Sequence, residues 1–182
     1  MARVIEAALA DARALVEGGV DALLVENYGD APFTAGRVEP ATVAAMAVAA
    51  AEIRRVFPRA MLGVNVLKND ARAALAVAAA AGGRFIRVNV HAGAVVADQG
   101  LVQTDAYHTL RDRRLLGAEV AIFADVGGKH AMPLVPVEIE QMARDLVHRG
   151  LADALVVSGR ATGEATPIAE VKRVRGAVPD VP

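Results

Sequence analysis

The sequence contains no cysteine and no tryptophan. Without thiols there is no disulfide framework, no thiol nucleophile and no cysteine-ligated zinc or iron–sulfur site. Aromatic residues make up 3% of the chain, too few for the stacking platforms that hold single strands or sugars. No charge dominates: 20 Lys and Arg face 21 Asp and Glu, for a net charge of -1. A basic surplus for a phosphate backbone is therefore missing, and nucleic acid is not an expected partner. Apolar runs are short, rich in alanine and valine, and broken by charge. None reaches the roughly 20 residues of a membrane span. The N-terminus shows no basic-then-apolar leader but helical spacing. These absences lead to the expectation of a soluble, cytoplasmic α/β protein. At 182 residues, 54% hydrophobic and 23% charged, the chain suffices for one domain with a buried core.

Two periodicities alternate along it. Ile5, Ala8, Leu9, Ala12, Leu15 and Val16 fall at helical spacing before Gly18-Gly19. A short apolar run follows at Ala22–Val25, as a doubly buried parallel strand requires. Pro40 opens a second helix to about Val56. Met61–Leu67 reads as a strand, and Asn69 or Asp70 caps a helix that stops at Gly82-Gly83. Phe85–Val90 is the third strand. Further helices are expected at Asp105–Leu116, from Pro136 to Gly150, and from Thr166-Pro167 to Gly176. Strands are expected at Val120–Val126 and Ala154–Gly159. Five strands thus alternate with six helices, the pattern of right-handed βαβ units around a parallel sheet.

A weak repeat supports a closed arrangement over an open sheet. Gly18-x-x-Asp21-Ala22-Leu23-x-Val25 matches Gly150-x-x-Asp153-Ala154-Leu155-x-Val157. Gly82 and Gly117 each stand three residues before a strand in the same helix–glycine–strand frame. A recurrence of roughly 30 to 40 residues is that of a (β/α)8 TIM barrel, which needs about 250 residues. The expectation is one incomplete barrel domain over residues 1–182, with about five to six βα units and both ends truncated. Edge strands at Ala22–Val25 and Ala154–Gly159 follow from it.

Ligands of such folds bind at the carboxyl ends of the strands. Glu26-Asn27 ends the first strand, Asn65 lies in the second, and Arg87 and Asn89 lie in the third, followed by His91. Asp125 ends the fourth, before Gly127-Gly128-Lys129-His130. Ser158-Gly159-Arg160 ends the fifth, followed by Thr162-Gly163. Strand parity places Ile86, Val88 and Val90 on the helix side and Arg87 and Asn89 inside. An inward arginine calls for an anion: Glu26, Asp125 or a substrate phosphate. Proton transfer falls to Glu26, Asp125 or His130. Asn27, Asn65, Arg87, Asn89, Lys129, Ser158 and Thr162 are the candidate ligand-binding residues. The glycine-rich turns at 127–129 and 158–163 offer N–H groups to an anion. No HExxH-type spacing occurs, so a metal is undecided, and no cofactor is named.

Six ordered blocks resemble the BtpA family. They are Val25-Glu-Asn-Tyr-Gly-Asp-Ala-Pro-Phe33, Gly63-Val-Asn-Val-Leu-Lys-Asn-Asp70, and Phe85-Ile-Arg-Val-Asn-Val90 with Gly93. Asp98-Gln-Gly100, Ala124-Asp-Val126 with Lys129-His130, and Ser158-Gly159 with Thr162-Gly163 complete them. The resemblance implies a TIM barrel whose members have a strand before the first helix and further strands after the last, both lacking here. It associates the family with photosystem I accumulation in cyanobacteria. It also implies members labelled as nucleotide hydrolases or found beside sugar-transport genes. The functional expectation is an enzyme acting on a small, polar, anionic metabolite, either phosphorylated, sugar-like or a nucleotide. The alternative is a non-catalytic biogenesis or stability factor for photosystem I. A homo-oligomer is compatible with both.

Overall fold

A computed structural model of the chain describes residues 1–159 and 161–182. Fourteen elements among them set out the architecture. In chain order they are α1 (Ala2–Glu17), β1 (Ala22–Glu26), α2 (Pro40–Val56), β2 (Met61–Asn65), α3 (Ala71–Ala81) and β3 (Phe85–Val88). Then follow β4 (Ala94–Ala97), β5 (Gly100–Gln103), α4 (Ala106–Leu115), β6 (Ala121–Asp125), β7 (Ala131–Pro133), α5 (Ile139–Arg144), β8 (Ala154–Val156) and α6 (Ile168–Ala177). Single turns of 3-10 helix and π-helix occupy Tyr28–Asp30 and Asp145–Arg149.

The main sheet is parallel, in the order β1-β2-β3-β6-β8. Its strands lie side by side in the order they occur in the chain. A doubly wound sheet would reverse direction part-way, whereas continuous winding in one sense is barrel-type and keeps the helices on one face. Leu23, Leu62, Val64, Ile86, Val88 and Ile122 form that face and are buried with helix residues such as Ala12, Ala50, Ile53, Leu75 and Ala78. A smaller cluster of Ala124, Ala143, Leu146 and Val174 packs the end of β6 against α5 and α6. The sheet's edges are β1 and β8, as the sequence reading places them. Leu155 of β8 donates its N–H to the Pro182 carbonyl at 2.9 Å.

The helix punctuation follows from local chemistry. The Asp70 carboxylate accepts the Ala73 N–H at 3.0 Å and caps α3. Gly82, at φ 71°, takes the left-handed position that closes the same helix. Between these caps the helix is almost all alanine, which lets it lie close to the sheet and to α2.

Three short strands were not anticipated. β4, β5 and β7 make a separate antiparallel sheet, ordered β5-β4-β7. Each is three or four residues long and interrupts the βα alternation. The hairpin signal was present nonetheless: Asp98-Gln99 joins two apolar runs, and Ala97 pairs with Gly100. The helix expected from Pro136 starts at Ile139 instead, because Glu138 caps it in an extended conformation. The last helix runs through Gly176 to Ala177.

Candidate functional site

Alternation along the strands turns one side chain in two away from the helices. Phe85 and Phe123 meet there as a stacked pair, with centroids 4.6 Å apart. Gly63 leaves room for them, since a Cβ at that position would lie 2.2 Å from the Phe85 ring. Above this aromatic layer the inward positions become polar.

Glu26, Asn65, Arg87, Asn89 and Asp125 form one hydrogen-bonded network. Arg87 clamps Asp125 with two parallel bonds, Nε to Oδ1 at 2.8 Å and Nη2 to Oδ2 at 2.9 Å. Its Nη1 lies 3.5 Å from Glu26 Oε1. Asn65 donates to the same Glu26 oxygen at 2.8 Å, and Asn89 donates to Asp125 Oδ2 at 2.9 Å. Asp125 is buried, with a side chain only 1% exposed, whereas Arg87 and Glu26 keep 19% and 26%. The Asp125 hydrogen bond, with the charges of Asp125 and Glu26, raises the Arg87 pKa above its ordinary value against the opposing effect of burial. Of the anions open to Arg87, the structure supplies both carboxylates. Glu26 Oε2 is engaged by no described residue, while both Asp125 oxygens are occupied.

The remaining candidates lie elsewhere. Asn27 joins loops: Oδ1 accepts the Leu67 N–H at 2.7 Å, and Nδ2 lies 3.2 Å from Asp30 Oδ2. His130 is exposed, with Nε2 3.4 Å from Thr162 Oγ1. The Lys129 carbonyl accepts from Lys68 Nζ at 3.2 Å. Ser158 Oγ is buried with no partner among the described residues. Arg160, named with its glycine-rich turn above, lies outside the described residues.

Lys68 and Asn69, which the sequence places directly after the second strand, belong to this end of the fold as well. Lys68 is buried although no described carboxylate pairs with it. Asn69 accepts the Val90 N–H at 2.8 Å and donates to the Val90 and Gln103 carbonyls, tying the β2–α3 loop to β3 and β5. His91 is fully buried with Nε2 2.8 Å from the Gly150 carbonyl, and burial lowers its pKa below the ordinary imidazole value. Among the described residues, no three His, Asp or Glu side chains are grouped so as to hold a metal ion. None of the described helices is long and apolar enough to cross a membrane.

The same polar positions occur within a family-wide match: the BtpA family model aligns with residues 1–182. The chain belongs to the BtpA family. The photosystem I biogenesis protein BtpA of a Synechocystis species is 44% identical over 179 residues, covering 98% of this chain. A Methanocaldococcus jannaschii protein of uncharacterized function is 39% identical over 179 residues. This BtpA-family chain spans 62% of the length of the first relative and 67% of the second. A solved enolase protein from Sargasso Sea environmental sequencing, a TIM-barrel enzyme, superposes with a TM-score of 0.59 at 14% identity. That match covers 94% of this BtpA-family chain and 41% of the enolase, and it is a likeness of fold.

Proposed function

We propose that the polar layer at the C-terminal ends of the strands is the site of an enzyme acting on a small, polar, phosphorylated or sugar-like metabolite in the cytoplasm. One observation carries this reading: five polar side chains from β1, β2, β6 and the β3 end meet in one network, where a barrel of this kind binds ligands. Stability alone does not require such a layer, because well-packed apolar residues replace buried ion pairs at little or no cost. Within the proposal, Glu26 is the proton acceptor, since Oε2 is unengaged. Asp125 is a positioning residue that holds Arg87 and Asn89. Arg87 is already matched by two carboxylates and therefore faces ligand hydroxyls. Lys68 and Lys129 are the cations for a phosphate, with His130, Asn65, Ser158 and Thr162 as further polar groups for it.

Thermal-shift titration of the chain with ribose 5-phosphate, glucose 6-phosphate and nucleoside monophosphates tests the reading. Saturable stabilisation by one class, abolished in Glu26→Gln, is expected. Silence across all of them overturns it.

A second reading comes from the relative named for photosystem I biogenesis. Leu101, Val96 and Met132 form a row across β5, β4 and β7, and each is about half exposed or more. Such a row suits contact with another protein. Loss of photosystem I assembly on mutating this row, with the polar layer intact, would favour that reading.

A further inference from the structure

Asn89 and Asp125 belong to two environments. Both take part in the ion network, and both also line a cavity of about 330 Å³ bounded by the small sheet, the turn after β6 and α5. Its other walls are mostly aliphatic, including Val95, Ala131, Leu134, Val137, Met142 and Leu146. An engineered cavity of roughly 150 Å³ already admits benzene, and ligand sites begin at about 300 Å³. The space is therefore large enough for a compact bicyclic ring. A molecule made only of hydroxyl and phosphate groups would leave these aliphatic walls uncovered.

The polar end adds a second requirement. The Asn89 amide is oriented by its Nδ2 bond to Asp125. Its Oδ1 is thereby left buried with no hydrogen-bond partner among the described residues. A buried acceptor without a donor is costly, and a ligand N–H or O–H would satisfy it.

We infer that the cavity receives a compact heterocyclic ring carrying an N–H or O–H donor, so that the ligand of the polar layer is ring-bearing, as a nucleotide is, and not a simple sugar phosphate. This rests on the preceding reading for the ligand's polar half alone. The ring is enclosed by β4, β7 and α5, and its donor meets Asn89 Oδ1. The small antiparallel sheet, which a minimal barrel does not need, is then the wall that selects the ring.

Two separate probes test the two halves. The ¹⁵N-labelled chain is titrated with benzimidazole and, independently, with ribose 5-phosphate. Benzimidazole should shift the amides of Gly93, Gly127, Gly128 and Ala131 saturably. Ala131→Phe should weaken that response at least tenfold and leave the ribose 5-phosphate response unchanged. Val135→Trp, at an exposed position, serves as a second plug if Ala131→Phe does not fold. 1-Methylbenzimidazole, which lacks the N–H, should bind at least fivefold more weakly. No saturable shift at these amides, or one that survives both plugs, overturns the inference. Equal affinity of the methylated probe overturns the assignment of Asn89 as acceptor. A benzimidazole response with silence from ribose 5-phosphate and from every nucleoside monophosphate keeps the ring site and counts against the polar-layer reading.

Discussion

Arg87 shows how one residue joins stability to chemistry. Its guanidinium holds both oxygens of a carboxylate that is 1% exposed and reaches a second carboxylate on β1. Removing the cation would leave Asp125 buried and uncompensated. Arg87→Met should therefore destabilise the fold by roughly 3–5 kcal/mol, as breaking a buried pair does. Urea unfolding of both proteins measures this, and a variant within about 1 kcal/mol of the parent would show that the layer relaxes without its cation. His91 provides a pH signature. Burial lowers its folded pKa below the ordinary 6.5, so the unfolded chain binds this proton at a higher pH than the folded one. Its linkage makes stability fall as pH drops below about 6.5, until the folded imidazole also titrates. Unfolding free energies at pH 7 and pH 5 should differ more for the parent than for His91→Gln. Equal slopes would remove His91 from the account.

At the scale of elements, the polar layer depends on the aromatic layer beneath it. Phe85 lies over Gly63 and is held from the other side by Phe123. Gly63→Ala puts a methyl group into the Phe85 ring and cannot be absorbed by a small rotation. Overpacking of this kind costs typically about 1–3 kcal/mol. The displaced ring should also disturb Arg87, two residues along β3. The expected outcome is a lower melting temperature together with a changed Arg87 Nε resonance. A variant with parental melting and an unshifted resonance would show that the layers are independent. The loops above the layer are held by asparagines, with Asn27 tying the β1 end to Leu67 and Asn69 tying β2–α3 to Val90 and Gln103. Residues of the same type in the same blocks thus divide between loop staples and network members, and no spacing in the sequence separates the two roles.

At the scale of the whole molecule, the main parallel sheet carries helices on one face and ends in two edge strands, β1 and β8. Leu24 and Met61, on the inward face, remain 37% and 47% exposed. A strand edge such as that of β1, beside apolar surface, favours edge-to-edge association. The 182-residue chain is expected to elute from size exclusion larger than a monomer, in a concentration-dependent way. A sharp monomer peak at all concentrations would show that the edges are adequately protected.

Periodicity and punctuation alone determined most of this architecture. Buried strands must be apolar runs, helices must present an apolar stripe, and glycine or proline must stand where the backbone turns. The five parallel strands, the six helices and the inward parity of Arg87 and Asn89 were therefore legible, as was the family resemblance in Val25–Phe33 and Gly63–Asp70. Tertiary structure alone decided which partners those inward groups take. Arg87 lies 38 residues from Asp125 and 61 from Glu26 in the chain, and only the strand order and register of the sheet bring them together. The small antiparallel sheet was likewise decided by pairing across distance. The β4–β5 hairpin has a local signal at Asp98-Gln99, but β7 joins β4 only after α4 and β6 have been placed. The cavity that this sheet encloses has no sequence signal, because its walls are ordinary alanines, valines and leucines made special by what they surround.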